Sequence, residues 1–234
     1  MRRTALITGA SRGFGRALAE RLAADGWNLT IDGRDATALA EARAAVDAAG
    51  PGTVVALAGD IADPVHVAAL VNAAAGLGRL ELVVNNASTL GPSPLPHVAW
   101  LRTADLERVL ATNVVAPLRV AQAALPHLRQ AHGTLVNISS DAAVEGYEGW
   151  GGYGASKAAL EQLSRVLAAE EPGVRIYWVD PGDMRTQMHQ DAFPGEDISD
   201  RPEPATRVPG LVRLVDERPP SGRYRVEDLL GVPA

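Results

Sequence analysis

Thr4-Ala5-Leu6-Ile7-Thr8-Gly9-Ala10-Ser11-Arg12-Gly13-Phe14-Gly15 decides the architecture of this 234-residue chain. A short apolar run is stopped by Gly9, and three glycines then fall within seven residues. Leu18, Ala19 and Leu22 follow at helical spacing. The stretch therefore reads as a buried strand, a tight turn and the start of a helix. Glycines in such a turn let the backbone come close to a ligand, and a helix N-terminus aims free N–H groups at anions such as phosphate. The competing reading is a glycine-rich strand-to-helix turn with no ligand.

Outward from this unit the same alternation repeats. Strands are expected at residues 6–8, 27–31, 54–57, 80–84, 134–138, 174–179 and 222–226. Helices are expected at residues 14–25, 37–49, 64–77, 105–130, 153–170 and 205–217. Pro64 suits a first helical position, and Pro117 is expected to break the long fourth helix. Residues 181–204 read as irregular. The strands are nearly continuous apolar runs, which fits strands covered on both sides. The expected fold class is therefore α/β: a Rossmann-like, doubly wound parallel sheet of about seven strands with helices on both faces, forming one domain over residues 1–234. Ligands of such sheets sit at the carboxyl ends of the strands.

Bulk composition narrows the function. Apolar residues make up 47% of the chain, and the net charge of −6 argues against a nucleic-acid partner. No cysteine is present, which excludes a disulfide frame and thiol chemistry. The five histidines show no metal-ligand spacing, so no metal is expected. Met1-Arg2-Arg3 runs straight into the first strand, too short a lead for a signal peptide, and no run of about 18 uninterrupted apolar residues suggests a membrane span. A cytoplasmic location is the resulting expectation.

Tyr153-Gly154-Ala155-Ser156-Lys157 contains the only lysine of the chain. On a helix, residues four apart share a face, so the Lys157 ammonium can sit beside the Tyr153 phenol. A nearby cation favours the phenolate, whose free pKa is about 10. The plain alternative is a surface Tyr and Lys one turn apart.

Taken together, Thr8-Gly9-x-x-x-Gly13-x-Gly15, Asn85-Asn86-Ala87-Ser88, and Ser140 with Tyr153-x-x-x-Lys157 resemble the short-chain dehydrogenase/reductase family, in order and over nearly the whole chain. The resemblance implies hydride transfer between a carbonyl compound and an alcohol. Ser140, thirteen residues before Tyr153, would donate to the substrate carbonyl, with its neighbour Ser139 as the lesser candidate. Tyr153 would exchange the proton, and Lys157 would lower the tyrosine pKa and hold the ribose. Asn113 would kink its helix and hold a water of the proton relay. The resemblance also implies cofactor contacts from Gly9, Ser11, Arg12, Gly13, Phe14, Gly15, Asp60, Ile61, Asn86, Ala87, Pro181, Gly182 and Thr186, together with Tyr153 and Lys157. Asp60 also reads as a helix cap.

A carboxylate at the end of the second strand suits the ribose 2′-hydroxyl of NAD, and arginine suits the 2′-phosphate of NADP. Here the family's acid position falls on Gly33, with Arg34 next and Arg12 nearby, so NADP(H) is preferred. NAD(H) is the alternative, because Asp32 stands one residue earlier. Tyr147, Trp150 and Met184, with Ser140 and more distantly Trp100, are candidate substrate contacts. A short polar lid at residues 183–204 hints at an open site for a small or exposed carbonyl compound, with Arg185 and His189 read as solvated and contact with an anionic substrate as the alternative. A homodimer or homotetramer is implied. The rival classes are a catalytically silent dinucleotide-binding regulatory or scaffold protein, and a cofactor-recycling epimerase or dehydratase.

Overall fold

The computed structural model describes residues 2–231. Strands β1 (Thr4–Ile7), β2 (Asn28–Gly33), β3 (Val54–Ala58), β4 (Leu80–Asn85), β5 (Thr134–Ile138), β6 (Arg175–Asp180) and β7 (Gly222–Arg225) form one sheet in the order β3-β2-β1-β4-β5-β6-β7. Every pairing is parallel. The order reverses between β1 and β4, which opens a crevice at their carboxyl ends. All residues of β1 and β5 are buried, as strands covered on both faces must be.

Alternation along each strand feeds two cores. Ala5 and Ile7 point to the side covered by α1 (Gly13–Ala24), α2 (Ala36–Ala49) and α8 (Val208–Glu217), among Leu18, Leu22, Leu39 and Leu214. Leu6 points to the other side, with Leu70, Val71, Val120 and Leu128 of α3 (Pro64–Gly76) and α5 (Ala116–Ala131). Asp35 caps α2 and Asp63 caps α3, each carboxylate accepting backbone N–H groups of the first turn.

Three local expectations are revised. The long helical stretch breaks before Pro117: α4 (Thr103–Leu110) leads into a π-helical turn, Ala111–Val115, and α5 begins at Ala116. Proline lacks an N–H, and the wider turn just ahead of it re-routes the ladder. Residues 181–204 are not wholly irregular, since they contain α7 (Gln187–Ala192), capped by Thr186. Strand β7 is followed by a short helix, α9 (Val226–Leu229), that the sequence reading missed. The remaining helix, α6 (Gly151–Glu170), starts two residues before Tyr153.

One stretch, Thr103–Ala131, is long and apolar enough to cross a bilayer by length and composition. Here it is the interrupted α4–α5 pair, and the buried face of α5 packs on the sheet.

Candidate active site

A single cleft of about 730 Å³ runs over the carboxyl ends of β1, β2, β4, β5 and β6. Its floor begins with the turn after β1. Gly9 has φ +66°, and a Cβ there would stand 2.7 Å from the Cα of Ala87. Only glycine lets the turn after β1 and the loop after β4 touch. Thr8 Oγ1 ties the two together by accepting the N–H groups of Asn86 and Ala87, each at 3.0 Å. The Asn86 amide returns two bonds, to the carbonyls of Thr8 and Gly9.

Helix α1 opens into this cleft without a side-chain cap and without an acidic residue in its first turn. Its neighbours α2 and α3 are both capped. The free N–H groups of α1 and its dipole therefore face the cleft, a fit for phosphate. Ser11, Arg12, Gly13, Phe14, Asp60, Ile61, Asn86, Ala87, Pro181, Gly182 and Thr186 also line it, as does Arg34. Gly15 is the third residue of α1, off the lining. Asp60 makes a local turn with the Ala62 N–H and is not the cap of α3.

Asp32 lines the cleft with both of its oxygens already engaged. It is 2% exposed, accepts the Gly9 N–H at 2.5 Å on one oxygen and meets His66 Nε2 at 3.2 Å on the other. Its carboxylate is turned into the fold. Arg12 and Arg34 are exposed at the same end of the cleft, and Arg12 reaches Asp35 only at 3.9 Å.

At the other end, Tyr153, Lys157 and Ser140 converge. Alternation at the end of β5 separates the two serines. Ser139 Oγ donates to the buried Glu161 at 2.7 Å, away from the reaction centre, whereas the Ser140 hydroxyl lies against Tyr153. Lys157 is 2% exposed, sits 5.4 Å from the Tyr153 ring and donates to the Ile138 carbonyl at 2.8 Å.

Burial dominates both groups. It raises the Tyr153 pKa above that of an ordinary phenol, with Asp180 and Asp141 adding to the rise while the Ser140 and Ser88 hydroxyls oppose it. It pushes Lys157 down to about 7. The expected lowering of the tyrosine by its lysine is therefore not the net effect in the free protein, because desolvation of a buried phenol outweighs one partly neutral amine.

Asn113 is wholly buried inside the π-turn. Its Oδ1 accepts from Ser88 Oγ and the Thr89 N–H, and its Nδ2 donates to the Thr89 carbonyl and Ser156 Oγ. These four bonds use the whole amide. The Asn113 side chain therefore has no bond left for a water.

The substrate candidates divide. Trp150 and Met184 line the cleft, and Trp150 packs edge-on against Tyr153 at 5.7 Å. Tyr147 is exposed off the cleft wall and donates to Asp141 at 3.0 Å, and Trp100 is exposed beside His97. The lid is less open than its polarity suggested. Met188 and Ala192 of α7 pack on the cluster of Leu90, Ala142 and Tyr153, Phe193 meets Trp150, and Ser93 Oγ donates to the Asp191 carbonyl at 2.6 Å. His189 lines the cleft and takes a bond from Arg201, whereas Arg185 pairs with Glu203 outside it.

Sequence reasoning missed Thr89 and Asp180 on the cleft wall. Each adjoins a quoted motif residue, which was the available signal. Among the described residues no group of three or more His, Asp or Glu side chains is placed to hold a metal.

With this geometry in view, the family profile described as short chain dehydrogenase matches residues 3–197. The chain belongs to the short-chain dehydrogenase/reductase family. It is an oxidoreductase by that membership. Sepiapterin reductase of Mus musculus is 36% identical over 197 residues, 79% of this chain and 76% of that protein. Serine 3-dehydrogenase of Agrobacterium fabrum is 35% identical over 188 residues, covering 79% and 73%. Among solved structures, a short chain dehydrogenase from Shigella flexneri complexed with NADP superposes with a TM-score of 0.88 at 29% identity, covering 97% of each chain. An alcohol dehydrogenase from the archaeon Thermococcus sibiricus, complexed with 5-hydroxy-NADP, gives 0.83 at 25% identity over 96% and 94%.

Proposed function

We propose that this short-chain dehydrogenase interconverts a carbonyl compound and an alcohol, with NADP(H) as the preferred cofactor. The observation that carries the reading is the cleft's two ends: Ser140, Tyr153 and Lys157 converge at one, and the uncapped α1 N-terminus with Arg12 and Arg34 lies at the other. Asp32 spends its oxygens on the Gly9 N–H and His66, which leaves neither free to hold a ribose hydroxyl. Two arginines near a phosphate give charge-assisted contacts. The names of the relatives, a reductase and a dehydrogenase, and the NADP and 5-hydroxy-NADP of two solved neighbours agree with this.

When bound, the dinucleotide supplies or takes up the hydride. The chain's own residues handle the proton. Tyr153 holds it at its phenol oxygen, where burial keeps the phenol protonated in the free protein, and giving that proton up in reduction requires its affinity to fall toward the working pH. Lys157 is held beside Tyr153 by the Ile138 carbonyl, where its Nζ can meet a ribose hydroxyl. Asn113 fixes the Ser88–Thr89 loop and α6 against each other. Trp150, Met188 and Phe193 exclude water above Tyr153. Leu163 and Val166 leave an apolar strip exposed on α6, and a homodimer or homotetramer would cover it.

Trp150 lies in the cleft, so its fluorescence reports occupancy directly. NADPH is expected to quench it at a concentration at least about tenfold below NADH, a difference of about 1.4 kcal/mol. Arg34→Ala should erase that preference. Equal or tighter NADH binding would overturn the cofactor assignment. Net loss of NADPH on a panel of aldehydes and ketones separates this reading from an epimerase that recycles its cofactor and from a silent binding protein.

A further inference from the structure

Ser140 has one hydroxyl proton and two lone pairs. Its Oγ lies 2.8 Å from Asp141 Oδ1, placed to donate. The Ala142 N–H approaches the same Oγ at 3.2 Å and occupies one lone pair. Asp141 is itself fixed: Oδ1 also accepts the Ala142 N–H at 2.8 Å, and Oδ2 accepts the Tyr147 phenol at 3.0 Å. A hydroxyl gives its proton to a carboxylate in preference to a neutral oxygen, because the charge-assisted bond is roughly twice as strong.

We propose that Asp141 is a positioning residue that sets the direction in which Ser140 hydrogen-bonds, leaving Ser140 with a single lone pair toward the cleft, and that Tyr147 holds Asp141 in this role. The proposal rests on the reading of Ser140 and Tyr153 given above. It inverts the part expected of Ser140 in the resting site. An alcohol substrate donates to that lone pair. A carbonyl substrate receives the Ser140 proton only when the serine turns from Asp141.

The Asp141 charge acts on Tyr153 as well, raising its proton affinity together with Asp180 of β6. The other groups facing the phenol are the Ser140 and Ser88 hydroxyls and Lys157 of α6. Glu145 and Asp183 face Tyr147 on the solvent side.

Asp141→Asn keeps the shape and removes the charge, and Asp141→Ala removes the acceptor as well. Asp141 is exposed, so both variants should fold. One readout needs no substrate. The Cζ resonance of carbon-13-labelled Tyr153, assigned with Tyr153→Phe, is followed upward in pH in the NADP+ complex. It should move toward the phenolate at lower pH in Asp141→Asn than in the parent protein. The second readout uses a ketone and alcohol pair that the parent protein turns over. The ketone should bind the NADP+ complex about fivefold more tightly in Asp141→Asn, measured as dead-end inhibition, because Ser140 is freed to donate. The alcohol should bind the NADPH complex more weakly.

Superimposable Tyr153 titrations, or a ketone that binds no better in either variant, would overturn the proposal. If no carbonyl compound consumes NADPH, the reading of the activity falls instead, and the Tyr153 titration alone decides for or against Asp141.

Discussion

Lys157 keeps an amine in the core with one hydrogen-bond partner, and its titration exposes the consequence. In the unfolded chain the amine stays charged up to its ordinary value of 10.5, whereas in the fold it loses its proton at about 7. Below pH 7 the full penalty of burying the charge is present. Between pH 7 and 10.5 the unfolded chain binds a proton that the folded chain has released, so this residue's contribution to stability improves as pH rises. Lys157→Met should therefore stabilise the cofactor-free protein at pH 6, by about 3–5 kcal/mol at most, with the gain vanishing toward pH 10.5. Urea denaturation of both proteins at several pH values checks this, and a gain independent of pH would refute it. Gly9→Ala gives a second expectation at this scale. The added methyl meets the Ala87 backbone at positive φ, so a loss of about 2–4 kcal/mol and a sharply weaker NADPH complex should appear together. The residues of the Tyr153 motif and the glycine turn were legible because short spacings on a helix or in a turn dictate who meets whom. The inward turn of Asp32 was not, since its partner His66 lies 34 residues away on another element.

The π-turn from Ala111 to Val115 is the element that joins the two halves of the reaction end. It places Asn113 where one amide ties the loop after β4 to α6. Asn113→Ala removes four hydrogen bonds at a wholly buried site. It should lower stability by about 2–4 kcal/mol and loosen the 88–89 loop, seen as faster amide exchange at Thr89. A change under 1 kcal/mol would show that water fills the gap. Capping makes the converse point. Asp63→Ala should cost α3 about 1 kcal/mol without touching cofactor affinity, whereas α1 has no cap to lose. Periodicity revealed the type of each long helix and strand, and the β5 bounds matched without adjustment. The break does not fall at Pro117 itself; it spans Asn113, the residue that the family resemblance named as kinking this helix. Helices α7 and α9, of six and four residues, are too short for periodicity to register.

Across the whole molecule, the last strand reaches back to the centre. Arg223 of β7 donates to Glu161 of α6 at 2.9 Å and to the Ser140 carbonyl at 3.2 Å, and it lies 3.5 Å from Asp180 of β6. Glu161 also holds Ser139. Four elements thus share one largely buried charge cluster behind the reaction end. Removing one partner leaves the other unpaired, so Arg223→Met or Glu161→Met should each cost about 3–5 kcal/mol. The double variant should recover much of that loss, and strict additivity in the cycle would deny the coupling. Contacts of this kind join residues 62 positions apart and are set by sheet order, which the sequence pattern indicates only as a class. A ligand site at the carboxyl ends of the strands was foreseeable from alternation, whereas its place at the β1–β4 reversal and the charges behind Ser140 were not.

Gly33 carries a historical implication. A side chain at this position would begin 2.8 Å from Ser11 Cβ, so the acid that favours the unphosphorylated ribose cannot simply be added. Any lineage leaving this chain for the other nicotinamide currency must first shrink position 11 or shift its loop. The two sites are epistatic: Gly33→Asp alone is a dead end, and the order of substitution decides whether the path stays open.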